Sequence, residues 1–153
     1  LDPDACGPGL VISGGGLTVT NTAHKRWSAV RGARRLRSGA HSWLVRIDRC
    51  VSKNIFIGVA HADAALDAYV GSDRHGWGYL ANRAIWHDKA KVRSYGDLFR
   101  EGDVVGVHLD CTLRTLRYTV NGRDMGVAVQ GLRGELYAAF SLYNFEDQLT
   151  VTP

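Results

Sequence analysis

The sequence is poor in several things, and each shortage removes a class of protein. It has one methionine and no stretch with the apolar spacing of a helix, so a helical bundle is excluded. No apolar run approaches the roughly 18 residues that a membrane-crossing helix needs. No signal peptide is visible; the chain begins at Leu1 and reads as an excised fragment. Only three cysteines occur, Cys6, Cys50 and Cys111, and none forms a C-x-x-C pair. A zinc ribbon is therefore not expected; the three read as free thiols of a reducing compartment. No N-x-[ST] sequon is present, which agrees with an intracellular, cytoplasmic address. Acidic residues are missing from residues 5–47, where Lys25, Arg26, Arg31, Arg34, Arg35, Arg37 and Arg46 are found.

Chemical motifs are also missing. Gly14-Gly15-Gly16 is a turn and not a phosphate loop, because neither Lys-Ser/Thr nor a helix follows it. No H-E-x-x-H occurs among the six histidines. His61 with Asp63 is a conceivable two-ligand fragment; a hydrogen-bonded surface histidine is the simpler reading. No G-x-S-x-G elbow is found, and Asp48, Asp73, Asp110 and Asp124 sit where turn chemistry explains them. The expectation is a protein with no catalytic residues, no metal and no cofactor.

What is present is alternation. Residues 103–110 place Val105, Val107 and Leu109 on one face, and residues 115–120 place Leu116, Tyr118 and Val120 on one face. Period-two patterning of this kind marks half-buried strands. Asn121-Gly122 turns the chain into residues 125–129, as a short hairpin requires. Residues 39–48 alternate Trp43, Val45 and Ile47 against Ser42, Leu44 and Arg46. Residues 55–61 form a nearly continuous apolar run, as in a central strand. Further short strands are expected at 10–13, 17–20, 27–30, 77–80, 84–87, 136–142 and 148–152. Residues 62–70 have the alanines for one helical turn, and residues 89–98 read as a polar connection. Turn signals recur roughly every 8–12 residues, the spacing of an all-β sandwich or barrel. At 153 residues, one domain with a sizeable core is expected.

The aromatics divide in two. Trp43, Trp77, Tyr118 and Phe140 fall at inward strand positions and belong to the core. Tyr69, Tyr143 and Phe145 lie in turn-like surroundings beside Asp67, Asp73, Asn144, Glu146 and Asp147. Aromatics on loops carried by a rigid β scaffold are common binding anchors.

An ordered series of segments, GAHSWLVRI, IFIGVA, YVGSDRHGWGY, EGDVVGVHLD, TLRYTVNG, MGVAV and LYAAFSL, resembles the B30.2/SPRY family over about residues 17–152. Residues 1–16 are then a lead-in with a short strand, and residues 17–153 the domain. The resemblance implies a bent sandwich of two antiparallel sheets, concanavalin-like, with little or no helix. It also implies a role in recognition, with loops at one end of the sandwich holding a short peptide or partner surface. YVGSDRHGWGYLANRAIWHD is most similar to the branch that carries a suppressor-of-cytokine-signalling box and selects substrates for ubiquitin ligases. In that branch the position of Tyr69 lines the peptide pocket. The loop at residues 51–54, with Ser52 and Lys53, contributes, as does the loop with Tyr143, Asn144 and Phe145. A tryptophan common in that last loop is Asn144 here, a departure from the branch's pattern.

The expected function is a non-catalytic module that binds a protein or short peptide. Lys53, Arg26 and Arg74 would complement an acidic partner. Tyr69→Ala is expected to weaken binding at least tenfold and leave the melting temperature nearly unchanged. The isolated domain is expected to be monomeric. The alternative is a basic face, drawn from the acid-free stretch, that binds nucleic acid or anionic lipid. Nucleic acid ranks below protein because Trp27 is the only aromatic before Trp43 available for stacking. A sandwich lectin ranks lower still.

Overall fold

Two neighbouring strands set the frame. In β10 (Thr115–Val120) alternate residues are buried, in β9 (Val104–Asp110) Val105, Gly106, Val107 and Leu109 are, and the two pair antiparallel from Thr115 opposite Asp110 to Val120 opposite Val105. Asn121 (φ 51°) and Gly122 (φ 81°) then supply the two left-handed positions that a tight hairpin turn demands. β11 (Arg123–Gln130) follows. The computed structural model describes residues 1–153.

The remaining strands are β1 (Leu10–Ser13), β2 (Thr18–Asn21), β3 (Ser28–Arg31), β4 (Ala40–Arg49), β5 (Phe56–Ala60), β6 (Gly76–Leu80), β7 (Ala84–His87), β8 (Ala90–Ser94), β12 (Tyr137–Leu142) and β13 (Gln148–Thr152). They form two antiparallel sheets. One has the order β1-β2-β13-β4-β9-β10-β11 and the other β3-β12-β5-β6-β7-β8. Helix is limited to two three-residue 3₁₀ turns, Pro3–Ala5 and Gly14–Gly16. The lead-in is part of this architecture: β1 pairs with β2, and Cys6 bridges to Val30.

The core lies between the sheets. Trp43, Val45 and Ile47 of β4 and Val105 and Val107 of β9 meet Ile57, Val59, Tyr79, Phe140 and Leu142 of the other sheet. Burial of such side chains contributes about 1.5–3 kcal/mol each. Tyr118 is fully buried, and its hydroxyl donates to the Ile57 carbonyl of the facing sheet at 2.9 Å. A buried hydroxyl needs such a partner.

Two local expectations are corrected. Residues 62–70 form turns and bends, with no helical turn. They lie as a flat cover on the outer face of the six-stranded sheet, where Phe56, Ala60, Val70 and Ala139 make a second apolar cluster with Ala64, Leu66 and Tyr69. Side-chain burial on a sheet outweighs the weak helix preference of a few alanines. Residues 89–98 are not only a connection, because β8 adds an edge strand to β7. Every residue of β8 is exposed, so no burial pattern announces it, and Lys91 and Arg93 blunt the open edge.

Candidate binding site

The site grows from one end of the six-stranded sheet. β12 ends at Leu142 opposite Ser28, and β5 begins at Phe56 opposite Ser141. Three chain segments therefore meet here: the turn before β3, the loop before β5 and the loop after β12. The turn before β3 is tied on by the Arg26 N–H, which donates to the Tyr143 carbonyl at 3.1 Å.

Asp147 organises the loops. It is fully buried, and its carboxylate accepts the backbone N–H groups of Val51 at 2.9 Å, Asn144 at 2.9 Å and Tyr143 at 3.4 Å. Burial pushes this carboxyl above the ordinary aspartate value, while the three N–H donors pull the other way. Asn21, also fully buried, donates from Nδ2 to the Asn144 carbonyl at 3.0 Å and accepts the Ala23 N–H at 3.1 Å. Ser52 donates to Asn144 Oδ1, and Asn54 Nδ2 donates to Ser52 Oγ at 2.9 Å. The irregular backbone here is thus held by buried polar side chains, together with the backbone pair that Asn21 makes with Glu146 and Asp147 at the end of the β2–β13 ladder.

On this base stands an aromatic group. Trp27 lies 4.9 Å from Tyr143, 5.3 Å from Tyr69 and 5.3 Å from Phe56, centroid to centroid. Tyr69 stacks on Phe56 at 5.0 Å and meets the edge of Trp86 at 5.7 Å. Burial pushes the Tyr69 phenol above its ordinary value. Trp27, Tyr69 and Tyr143 are each half-buried. Phe145 is 42% exposed and stacks on the His24 ring at 4.5 Å.

The structure thus brings together Tyr69 and Tyr143 through Trp27, and it brings Asn144, Ser52 and Phe145 into the same loop cluster. Lys53 is exposed on the loop between Ser52 and Asn54, and Arg26 is exposed on the turn beside Tyr143. Arg74 is placed elsewhere. It stands two residues before Gly76, which pairs with Ala60, whereas Phe56 at the site end pairs with Leu80. Its guanidinium turns to the neighbouring His75 at 3.5 Å. Asn144 is also more committed than expected, since its carbonyl, its backbone N–H and its Oδ1 are all engaged inside the loops. Tyr69 packs on Trp27, Phe56 and Trp86, so Tyr69→Ala is expected to lower the melting temperature too. Sequence reading missed Trp27, Phe56 and Trp86 as members of the group. The outward parity of Phe56 in an all-apolar strand was the available sign.

Other features remain outside this site. The acid-free stretch of sequence is not acid-free in space: Arg35 pairs with Glu135 at 2.9 Å and Arg46 with Asp48 at 2.6 Å. Arg31 donates to the carbonyl of Ala62 and covers the Tyr137 ring. The three cysteines are free thiols, and no group of three or more potential metal ligands occurs. His61 Nε2 is hydrogen-bonded to the Arg133 carbonyl at 2.8 Å, in keeping with the simpler reading of it. The largest cavity, about 470 Å³, is lined by Leu1, Leu17, Trp43, Phe140 and Pro153 among others, and by none of the expected site residues. No helix is long and apolar enough to cross a membrane.

This geometry can be set beside known proteins. The SPRY domain family matches residues 40–152. "SPRY domain-containing SOCS box protein 3" of Xenopus tropicalis is 29% identical over 116 residues, covering 71% of this chain and 32% of the relative. "F-box/SPRY domain-containing protein 1" of Drosophila melanogaster is 30% identical over 142 residues, covering 85% of this chain and 56% of the relative. The chain therefore spans about a third to just over half the length of these curated relatives. The crystal structure of the SPRY domain of human HERC1 superposes with a TM-score of 0.85 at 18% identity, over 98% of this chain and 95% of that one. The TRIM65 PSpry domain superposes with a TM-score of 0.78 at 17% identity, over 99% and 90%. At those identities the structural likeness speaks for the fold alone, and it agrees with the two-sheet sandwich described above. With the family match covering most of its length, this chain belongs to the SPRY domain family.

Proposed function

We propose that this chain is a non-catalytic interaction module that holds a short peptide or partner surface against the Trp27, Tyr69 and Tyr143 end of the sandwich. The observation that carries the reading is the aromatic group itself: three half-buried rings on loops, braced from beneath by the buried Asp147 and Asn21. Rigid aromatic walls offer contact area at low entropic cost. An anchor of this kind is typically worth about 2 kcal/mol or more. Phe145 extends the apolar surface outward, and Arg26 and Lys53 at its margin favour an acidic segment. The names of the relatives, which join an SPRY domain to a SOCS box or an F-box, support a place as the substrate-recognition part of a larger ubiquitin-ligase or scaffold protein. An intracellular setting follows from that reading.

Affinity purification with wild type, Tyr143→Ala and Phe145→Ala tests this. Val92→Ala, on the exposed edge strand β8, serves as the control. Partners held by wild type and the control should fall at least tenfold with either aromatic variant. Equal recovery from all four proteins would remove the assignment.

A further inference from the structure

The opposite end of the sandwich carries a second concavity. β12 runs between the two ends, from Tyr137 here to Leu142 at the aromatic site. The concavity holds about 230 Å³ and is lined by Arg37, Arg114 and Arg133 above Leu109, Leu132 and Leu136. No carboxylate lines it.

The three arginines come from separate segments, and the backbone stitches those segments together. Leu36 and Leu136 exchange a pair of 2.8 Å hydrogen bonds. The Leu132 N–H donates to the Arg114 carbonyl at 3.1 Å, and the Cys111 N–H donates to the Gly39 carbonyl at 2.9 Å. His61 holds the Arg133 carbonyl. The positions of the three α-carbons are thus fixed by the fold while the side chains stay exposed.

None of the three guanidinium groups has a partner within the chain. Arg35, Arg46, Arg49, Arg117 and Arg123 pair with carboxylates. The guanidinium groups of Arg26, Arg34 and Arg100 are also without a partner, so what sets Arg37, Arg114 and Arg133 apart is that all three line one concavity. Two acids lie close in sequence to the lining residues, and neither pairs with the three arginines. Asp110 accepts the N–H groups of Thr112 and Leu113 at 2.9 and 2.8 Å, and Glu135 is held by Arg35.

We infer that Arg37, Arg114 and Arg133 form a receptor for a phosphate monoester on a protein partner, a phosphoserine or phosphothreonine side chain. A phosphate monoester presents three acceptor oxygens and close to two negative charges, and arginine forks match such oxygens in pairs. Arginine clusters are a recurring means of reading phosphorylated segments. The concavity suits one compact anion. A nucleic-acid track would need successive phosphate contacts and stacking rings, and no aromatic side chain lines this pocket.

The test is an amide-resolved NMR titration of the whole chain with a short phosphoserine peptide, its unphosphorylated twin and inorganic phosphate. Saturable shifts at Cys111, Leu132 and Arg133 with the phosphopeptide, absent with the twin, are expected. Arg114→Ala and Arg133→Ala should each weaken binding at least tenfold, Arg133→Lys should lie between, and Arg100→Ala should match wild type. Melting temperatures of all variants should equal that of wild type, since every replaced side chain is exposed. Binding of inorganic phosphate as tight as that of the phosphopeptide would overturn the assignment to a protein partner. Tighter binding of single-stranded RNA or anionic vesicles would overturn it as well, and so would phosphopeptide shifts that persist in the alanine variants.

Discussion

Asp147 and Val51, separated by 96 positions in sequence, are joined by a 2.9 Å hydrogen bond from the Val51 N–H to Asp147 Oδ1. The same carboxylate holds the N–H groups of Asn144 and Tyr143, so one side chain fixes two of the loops that build the aromatic site. Removing it leaves three part-buried N–H donors without their acceptor, at about 1–3 kcal/mol for each that water does not reach. Asp147→Ala is therefore expected to destabilise the fold by about 3 kcal/mol in urea unfolding. Asp147→Asn should recover only part of that loss, because its amide can turn one acceptor and not two toward the three donors. A loss under about 0.5 kcal/mol for the alanine variant, within the ordinary range of surface changes, would show that Asp147 does not brace the loops.

Asp48 makes the acid side of the stability profile testable. Burial raises its carboxyl, but donation from the Thr150 hydroxyl, Arg46 and Gln148 outweighs that and holds it below the ordinary 3.8. A carboxyl depressed in the folded state stabilises at pH values above its unfolded pKa, and the contribution is lost as pH falls through the folded one. Asp147 acts in the opposite sense, since its raised carboxyl favours proton uptake by the folded state. Asp48→Asn should therefore flatten the fall of stability below about pH 4, measured by urea unfolding across that range, and lower stability at pH 7. An unchanged slope on the acid side would contradict the assignment.

The thiols should be slow. Burial, aided by Asp147 and Glu101, pushes Cys50 up to about 12, and burial also raises Cys6 and Cys111. The thiolate is the reactive form, so at pH 8 Cys50 should resist alkylation in the folded protein and react on unfolding. Mass spectrometry after iodoacetamide treatment reads this directly. Rapid labelling of Cys50 in the folded chain would refute it.

Much of the sandwich was legible because half-buried strands write their burial into alternate residues, as Trp43, Val45 and Ile47 do. β8 left no such trace, because an edge strand exposed throughout has nothing to alternate. The site was legible only in part. Tyr69, Tyr143 and Phe145 stood out as loop aromatics, but Trp27 flanks β3 and Phe56 opens β5, and their partners come from distant segments. Arg74 was misplaced for the same reason. Its distance from Tyr69 in sequence is five residues, yet the cover segment carries the chain to the other end of β6. The arginine concavity was invisible because it depends on three turns meeting in space.

Gly78 links sheet packing to the placement of Tyr69 without lying on the aromatic group's exposed surface. It lies on the outer face of the six-stranded sheet beneath the cover segment, and Trp86 stands opposite it on β7. A Cβ added there would meet the Val70 carbonyl at 2.5 Å and the Phe56 ring at 2.8 Å. The Val70 contact is with backbone, so no rotamer change relieves it. The cover must lift, and with it Tyr69, whose neighbour Val70 is held by the Ser141 hydroxyl at 3.0 Å. Gly78→Ala is therefore expected to cost about 1–3 kcal/mol in thermal or urea unfolding, the usual penalty for overpacking. It should also lower partner recovery severalfold through displacement of Tyr69. Gly122→Ala would strain a turn at the other sheet's hairpin, and it should cost stability without lowering partner recovery. If both variants bind alike, either the cover does not position Tyr69 or Tyr69 does not anchor the partner. Tyr69→Ala measured beside them separates those two outcomes.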